Sequence, residues 1–210
     1  RADRVARQPR LAALLRQAAH LLWRPAPHGT ELEGARAQEL ARAYEGLSEL
    51  VFYNSDLRWL AAVVHAANHS DHCPVSAGFA RPYALLGLVA GQLGWHEQAE
   101  RYFSRALAVG RGSSDPSSLA VSLVVKATYH LELGQWEACQ AEAERAVELC
   151  RRAGNHQTEG MAMTMLAMRY YFPGHITEAS RSYERLLQHA ERARNAQHLA
   201  WARYGSAILD

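Results

Sequence analysis

Apolar residues return along this chain at helical spacing. Leu11, Leu14, Leu15, Ala18 and Leu22 recur three and four positions apart, the stripe that one face of an α-helix buries. Pro25 and Pro27 end that helix, because proline lacks the backbone donor and restricts the residue before it. Residues 25–33 read as a connector. From Ala35 the pattern runs through Leu40, Tyr44, Leu47 and Val51 to Tyr53, breaks at Asn54-Ser55-Asp56, and resumes from Leu57 to Asn68. The same helix, tight turn and helix are read at 77–93 with 95–109, at 116–133 with 135–152, and at 156–172 with 175–194. A lone helix follows over 197–209.

These pairs repeat with a period of forty. Asn54, Gly94, Gly134 and Gly174 stand forty residues apart. Seven positions before them lie Leu47, Gly87, Ala127 and Ala167, five after them Trp59, Ala99, Cys139 and Ala179, and nine after them Val63, Phe103, Ala143 and Tyr183. Small, small, bulky recurs in the last three units, with Ala143 the exception. A unit this short cannot bury its apolar face alone, so neighbours must stack into a continuous core. The expectation is an all-α solenoid whose units span about 34–76, 77–115, 116–154 and 155–195, closed by a helix over 196–210 and preceded by the helix and connector of 1–33. The landmark glycines fit the left-handed residue that ends many helices, a position asparagine tolerates. Between the second and third units, Gly110-Arg111-Gly112-Ser113-Ser114-Asp115-Pro116 combines turn formers with an N-cap at Asp115 and proline at the first helical position.

These residues resemble the tetratricopeptide repeat, whose first helix carries aromatic-x-x-Leu-Gly/Ala-x-x-Tyr and whose second carries Ala-x-x-x-Phe. One unit reads Tyr83-x-x-Leu86-Gly87 with Ala99-x-x-x-Phe103 and Ala106; another reads Met163-x-x-Leu166-Ala167-x-x-Tyr170 with Ala179-x-x-x-Tyr183. The chain departs from the family in its period, in Arg111, Arg151 and Glu191 where a proline is expected, and in Leu47 and Trp59 of the first unit. The resemblance covers about 35–209 and implies a right-handed array of antiparallel helix pairs. A narrower likeness, carried by 43–49, 86–94, 99–103 and 197–201, is to the repeat region behind the ATPase module of large bacterial signalling proteins. Many of those are fused to nucleotide cyclase or protein kinase domains. It implies a sensing or autoregulatory arm, with no catalytic residues of those domains in this chain.

Composition narrows the function. The chain has 210 residues, 49% hydrophobic and 21% charged, with a formal net charge of +2. That balance gives no global electrostatic footprint for nucleic acid or a membrane surface. Three cysteines, Cys73, Cys139 and Cys150, are too few and too irregular for a disulfide framework, so a reducing cytoplasm is expected. No apolar run approaches a membrane span, and Arg1 to Arg10 lacks a signal-peptide core. The chain begins at Arg1 and its pattern stops at Asp210 before another helix, so a longer polypeptide is expected. Of 23 basic residues only Lys126 is lysine, and alanine is abundant, which points to a GC-rich, bacterial genome.

Candidate chemistry is sparse. No phosphate-binding loop surrounds Lys126, and no His-Glu-x-x-His or Gly-x-Ser-x-Gly occurs. Glu142, Glu144 and Glu148 with Arg145, Arg151 and Arg152 read as a solvated helix face. Arg1, Arg4, Arg7 and Arg10 are explained as well by an exposed end as by phosphate contacts, and no aromatic interleaving supports base stacking. His65, His69, His72 and Cys73 offer zinc-type donors, but their spacing matches no standard finger, so no metal or other cofactor is expected.

By the tetratricopeptide resemblance, the first helix of each pair lines the concave face. That face would carry Tyr44, Ser48, Val51, Phe52, Arg81, Ala84, Leu88, Val121, Val124, Thr128, Leu131, Met161, Thr164, Met168, Tyr171 and Phe172. An apolar, methionine-rich groove suits an amphipathic helix or apolar segment, and the alternative is that these residues pack between helices. Tyr44, Phe52, Leu88, Met168, Tyr171 and Phe172 are the candidate anchors. Tyr44, Ala84, Val124 and Thr164 stand where clamps for a terminal carboxylate would be, which disfavours a chaperone-tail adaptor. The reading is a non-catalytic module that binds a protein or peptide segment, from a partner or from a neighbouring domain of the same polypeptide. Its alternatives are a regulatory fragment of a multidomain ATPase, cyclase or kinase, and a structural spacer or oligomerisation scaffold.

Overall fold

In the computed structural model, residues 12–13, 15–17, 19, 31–51, 56–74 and 77–209 are described, and among them every regular element is helical. The helices are α1 (Glu31–Val51), α2 (Asp56–Ser70), α3 (Arg81–Gln92), α4 (His96–Gly112), α5 (Pro116–Glu132), α6 (Trp136–Ala153), α7 (His156–Tyr171), α8 (Ile176–Ala193) and α9 (Ala196–Leu209). They fall into two compact units, Arg1–Ser114 and Asp115–Asp210. In the first unit α1 packs on α2, α2 on α3, and α3 on α4. In the second, each helix from α5 to α9 packs on the next, and α5 also touches α7, as α7 touches α9. In the second unit, first helices of successive pairs are therefore neighbours, the stacking by which small units share a core. Among the described residues, no helix is long and apolar enough to cross a membrane.

The turns repeat one closure. Gly94, Gly134 and Gly174 have φ of +79°, +69° and +87°. The next residue in each case donates its N–H five positions back: Trp95 to Ala90 at 2.8 Å, Gln135 to His130 at 2.9 Å and His175 to Tyr170 at 2.9 Å. This satisfies a carbonyl that the helix end would leave open. The turns between pairs close the same way, through Asn155 to Cys150 and Asn195 to Ala190, each at 3.0 Å. Their left-handed residues are Gly154 and, forty positions on, Arg194. Asn54 lies outside the described residues. The N-caps share the period too: Asp115 accepts from the N–H of Ser117, Asn155 from Thr158 and Asn195 from His198, at 2.9 to 3.0 Å.

Close approach within pairs rests on the small residues. Ala99, Ala127, Cys139, Ala167 and Ala179 have no exposed surface. A Cβ on Gly87 would stand 3.1 Å from the Phe103 ring and 3.2 Å from the Ala99 carbonyl oxygen, so the α3–α4 pair closes over a position with no room for a side chain. Phe103, Leu123 and Leu186 are fully buried beside them.

Three boundaries differ from the sequence reading. Helix α1 begins at Glu31, so the connector ends earlier than residue 33. Helix α3 begins at Arg81 and not near 77, because Gly78 takes φ +76° and Pro82 follows in the first turn. Helix α4 continues through Gly110 to Gly112, residues read as linker, because Val109 and Gly110 are buried and tertiary packing overrides their turn preference.

Candidate functional site

One aromatic surface of the second unit is made by its turns. Helix α6 begins at Trp136, just past the left-handed Gly134, and a Cβ on that glycine would lie 3.5 Å from the indole. Helix α7 ends at Tyr171, leaving Phe172 as its C-cap with its N–H on the Met168 carbonyl. The Phe172 and Trp136 rings stack at 6.4 Å with an 18° interplanar angle, and Tyr171 tilts against Phe172 at 5.5 Å. Phe172 remains 55% exposed, and Leu133 and Ile176 of the same two turns are also exposed. Beneath this patch Trp136 and Met168 pack on Ala127, Leu131, Cys139 and Ala143. Ala143 leaves no bulk at the position where Phe103 and Tyr183 stand.

Of the six expected anchors, Met168, Tyr171 and Phe172 come together here, on one helix end of the second unit. Tyr44 and Leu88 are half-buried residues of the first unit. The Tyr44 ring is engaged within its own pair, stacked on His65 at 4.8 Å and on His69 at 5.7 Å. Phe52 lies outside the described residues. Val124, Leu131 and Thr164, also expected on the groove, are buried. Burial at these positions fits the packing alternative, and Leu131 packs with Ala127, Cys139 and Ala143. Trp136 was missed because it opens a second helix, outside the positions carried over from the resemblance.

Residues 118–192 match the model of the tetratricopeptide repeat. No curated protein and no solved structure matches the chain. The match spans α5 to α8, the two pairs that carry Trp136, Tyr171 and Phe172. Phe172, exposed and in contact with the half-buried rings of Trp136 and Tyr171, presents an apolar surface at the edge of these helix pairs.

Several charged groups elsewhere are paired within the chain. Asp71, its carboxylate fully buried, accepts the Tyr83 hydroxyl at 2.6 Å and pairs with Arg105, whose guanidinium lies 4.5 Å from the centre of the Tyr83 ring. Burial, and then Asp71, push the Tyr83 hydroxyl well above its ordinary range, so it stays a donor. The triad clasps the α2–α3 connection to α4, and Tyr83 is the aromatic of the repeat motif. Lys126 pairs with Glu142 across α5 and α6 at 3.9 Å. Among the described residues, the donor atoms of His65, His69, His72 and Cys73, the zinc-type donors of the sequence, do not converge into one metal-holding group. Two of those rings are stacked on Tyr44, and the Cys73 thiol donates to the His69 carbonyl at 3.4 Å. Burial and then Asp71 raise that thiol to about 11. Burial likewise raises Cys139 to about 11 and, with Glu159 adding to it, Cys150 to about 12, so the three thiols are poor nucleophiles at neutral pH.

Proposed function

We propose that this chain is a non-catalytic interaction module that captures a helix or apolar segment of a protein on its repeat pairs, with Tyr171 and Phe172, backed by Trp136 and Met168, as the anchor. The carrying observation is Phe172, an aromatic left 55% exposed on a stacked aromatic base. Burying the exposed half of such a ring gains about 1–1.5 kcal/mol. The tetratricopeptide match over 118–192 supports the reading, since that repeat generally serves protein–protein interaction. For the first unit, taken by itself, Tyr44, Phe52 and Leu88 are retained as candidate anchors on the strength of the resemblance.

The wider role proposed is regulatory, as a sensing arm of a larger cytoplasmic signalling protein whose catalytic domains lie in other segments. The segments 43–49, 86–94, 99–103 and 197–201 support it through their resemblance to such proteins. A net charge of +2 gives nucleic acid no general hold.

The test begins with pull-down of the partner, followed by affinity measurements on folded variants. Phe172→Ala and Tyr171→Ala are expected to weaken binding by about 2 kcal/mol or more if they are central anchors. Arg181→Ala, an exposed position on α8, is expected to leave it unchanged. If Arg181→Ala abolishes binding while both aromatic substitutions are silent, the binding face is on the second helices.

A further inference from the structure

The second unit gathers a donor set that no sequence spacing announces. At the start of α7, His156 and Glu159 are one turn apart. Near the end of α8, His189 turns toward them from 33 positions away in sequence. One oxygen of Glu159, Oε2, lies 3.5 Å from His156 Nδ1 and 3.6 Å from His189 Nδ1, and the three donor atoms all fall within 4.8 Å of one another. Glu159 and His189 are buried, whereas the His156 side chain is 65% exposed.

The chemistry of these atoms is specific. His189 Nε2 is 3.0 Å from the His156 carbonyl oxygen. A carbonyl only accepts, so Nε2 carries the proton and donates it. The outer nitrogen of a metal-bound histidine is commonly held this way, by a backbone carbonyl that fixes the tautomer and aims the other nitrogen. The other nitrogen, Nδ1, then lies on the side of the Glu159 carboxylate, and in the neutral ring its lone pair can serve as a ligand. The two separations are longer than a normal hydrogen bond but match a shared ion. Ligands about 2.0–2.1 Å from a tetrahedral zinc stand about 3.3–3.4 Å apart. The other carboxylate oxygen, Oε1, is held by Arg151 Nε at 2.9 Å, which orients Oε2 toward the histidines. A second observation lies on the α9 side. The fully buried His198 has no hydrogen-bond partner at either ring nitrogen, and its ring tilts against that of His189 at 6.4 Å. Its room depends on Gly160, where a Cβ would meet His198 Nδ1 at 2.1 Å.

We propose that His156, Glu159 and His189 bind one zinc-class divalent cation. Two imidazoles and a carboxylate leave a fourth position on the exposed His156 side for water or an outside ligand. The ion would tie the start of α7 to the end of α8.

Zinc titration of the 210-residue chain in competition with a chromogenic chelator, and cobalt substitution read by visible absorption, test this directly. One equivalent of zinc is expected to bind, and cobalt is expected to give the absorption of a four-coordinate site. Zinc should raise the melting temperature of the wild type, since a ligand bound to the native state stabilises it. His156→Ala, whose ring is mostly exposed, should remain folded, weaken zinc at least tenfold and lose that rise. Glu159→Gln should weaken it as much; if that variant fails to fold, His156→Ala decides. His69→Ala should leave binding unchanged. Absence of saturable binding in the folded wild type, unchanged affinity in His156→Ala, or loss on His69→Ala alone would each overturn the assignment.

Discussion

Arg194 holds the left-handed conformation, φ +51°, that glycine holds at the equivalent position 154. A side chain there costs about 1–2 kcal/mol against the right-handed region, part of which glycine returns as greater freedom of the unfolded chain. Arg194→Gly is therefore expected to stabilise the chain by about 0.5–1 kcal/mol, read as a higher denaturant midpoint with an unchanged slope. Histidines set a second residue-scale expectation. Burial lowers His65 and His69 below the ordinary value of 6.5; Arg16 adds to it for His65, and His65, His72, Arg16 and Arg36 add to it for His69. The unfolded chain then takes up these protons first. Their contribution is intact above about pH 6.5 and is lost as pH falls through that value toward the folded ones. Melting temperatures at pH 7.5 and 5.5 should show a drop that the double variant His65→Gln, His69→Gln reduces; an equal drop in the variant would place the sensitivity elsewhere.

At the scale of the element, the small residues govern how closely two helices meet. Ala99 and Ala179 have no exposed surface, and the Ala99 carbonyl lies against Gly87 of the paired helix. Ala99→Leu and Ala179→Leu are each expected to cost about 1–3 kcal/mol through overpacking, measured by thermal or denaturant melts. Gly205 shows the same logic at the closing helix: a Cβ there would fall 2.2 Å from the Tyr183 ring, so α9 seats its glycine on the aromatic of α8. Unchanged stability in both leucine variants would mean that the pairs are held by other contacts.

The whole molecule divides where the sequence places its strongest stop and start, between Ser114 and Asp115. The second unit holds two complete pairs, a closing helix and fully buried Leu123, Ala127, Cys139, Ala167 and Leu186. A fragment of residues 115–210 is expected to fold alone and melt cooperatively, as followed by circular dichroism. A broad, non-cooperative melt would show that its core requires residues before Asp115.

Local chemistry already determined most of the helical plan. The forty-residue spacing of Gly94, Gly134 and Gly174, the proline after Asp115 and the small residues at 87, 99, 127, 167 and 179 are constraints of backbone and contact distance, and each appears where its period places it. Weak local signals yielded to packing, as at Gly110, where a turn former continues a helix because its surroundings are buried. The surface and the polar cluster were decided by tertiary structure alone. Val124 and Thr164 stand forty residues apart at one position of the repeat and both are buried, while the turn after α7 leaves Phe172 exposed. His65 and His69 are near in sequence and stack on Tyr44, whereas His156, Glu159 and His189 meet because α8 runs back along α7 and brings position 189 beside position 156. Spacing along a chain reports neighbours within one helix; which donors converge depends on which helices pair.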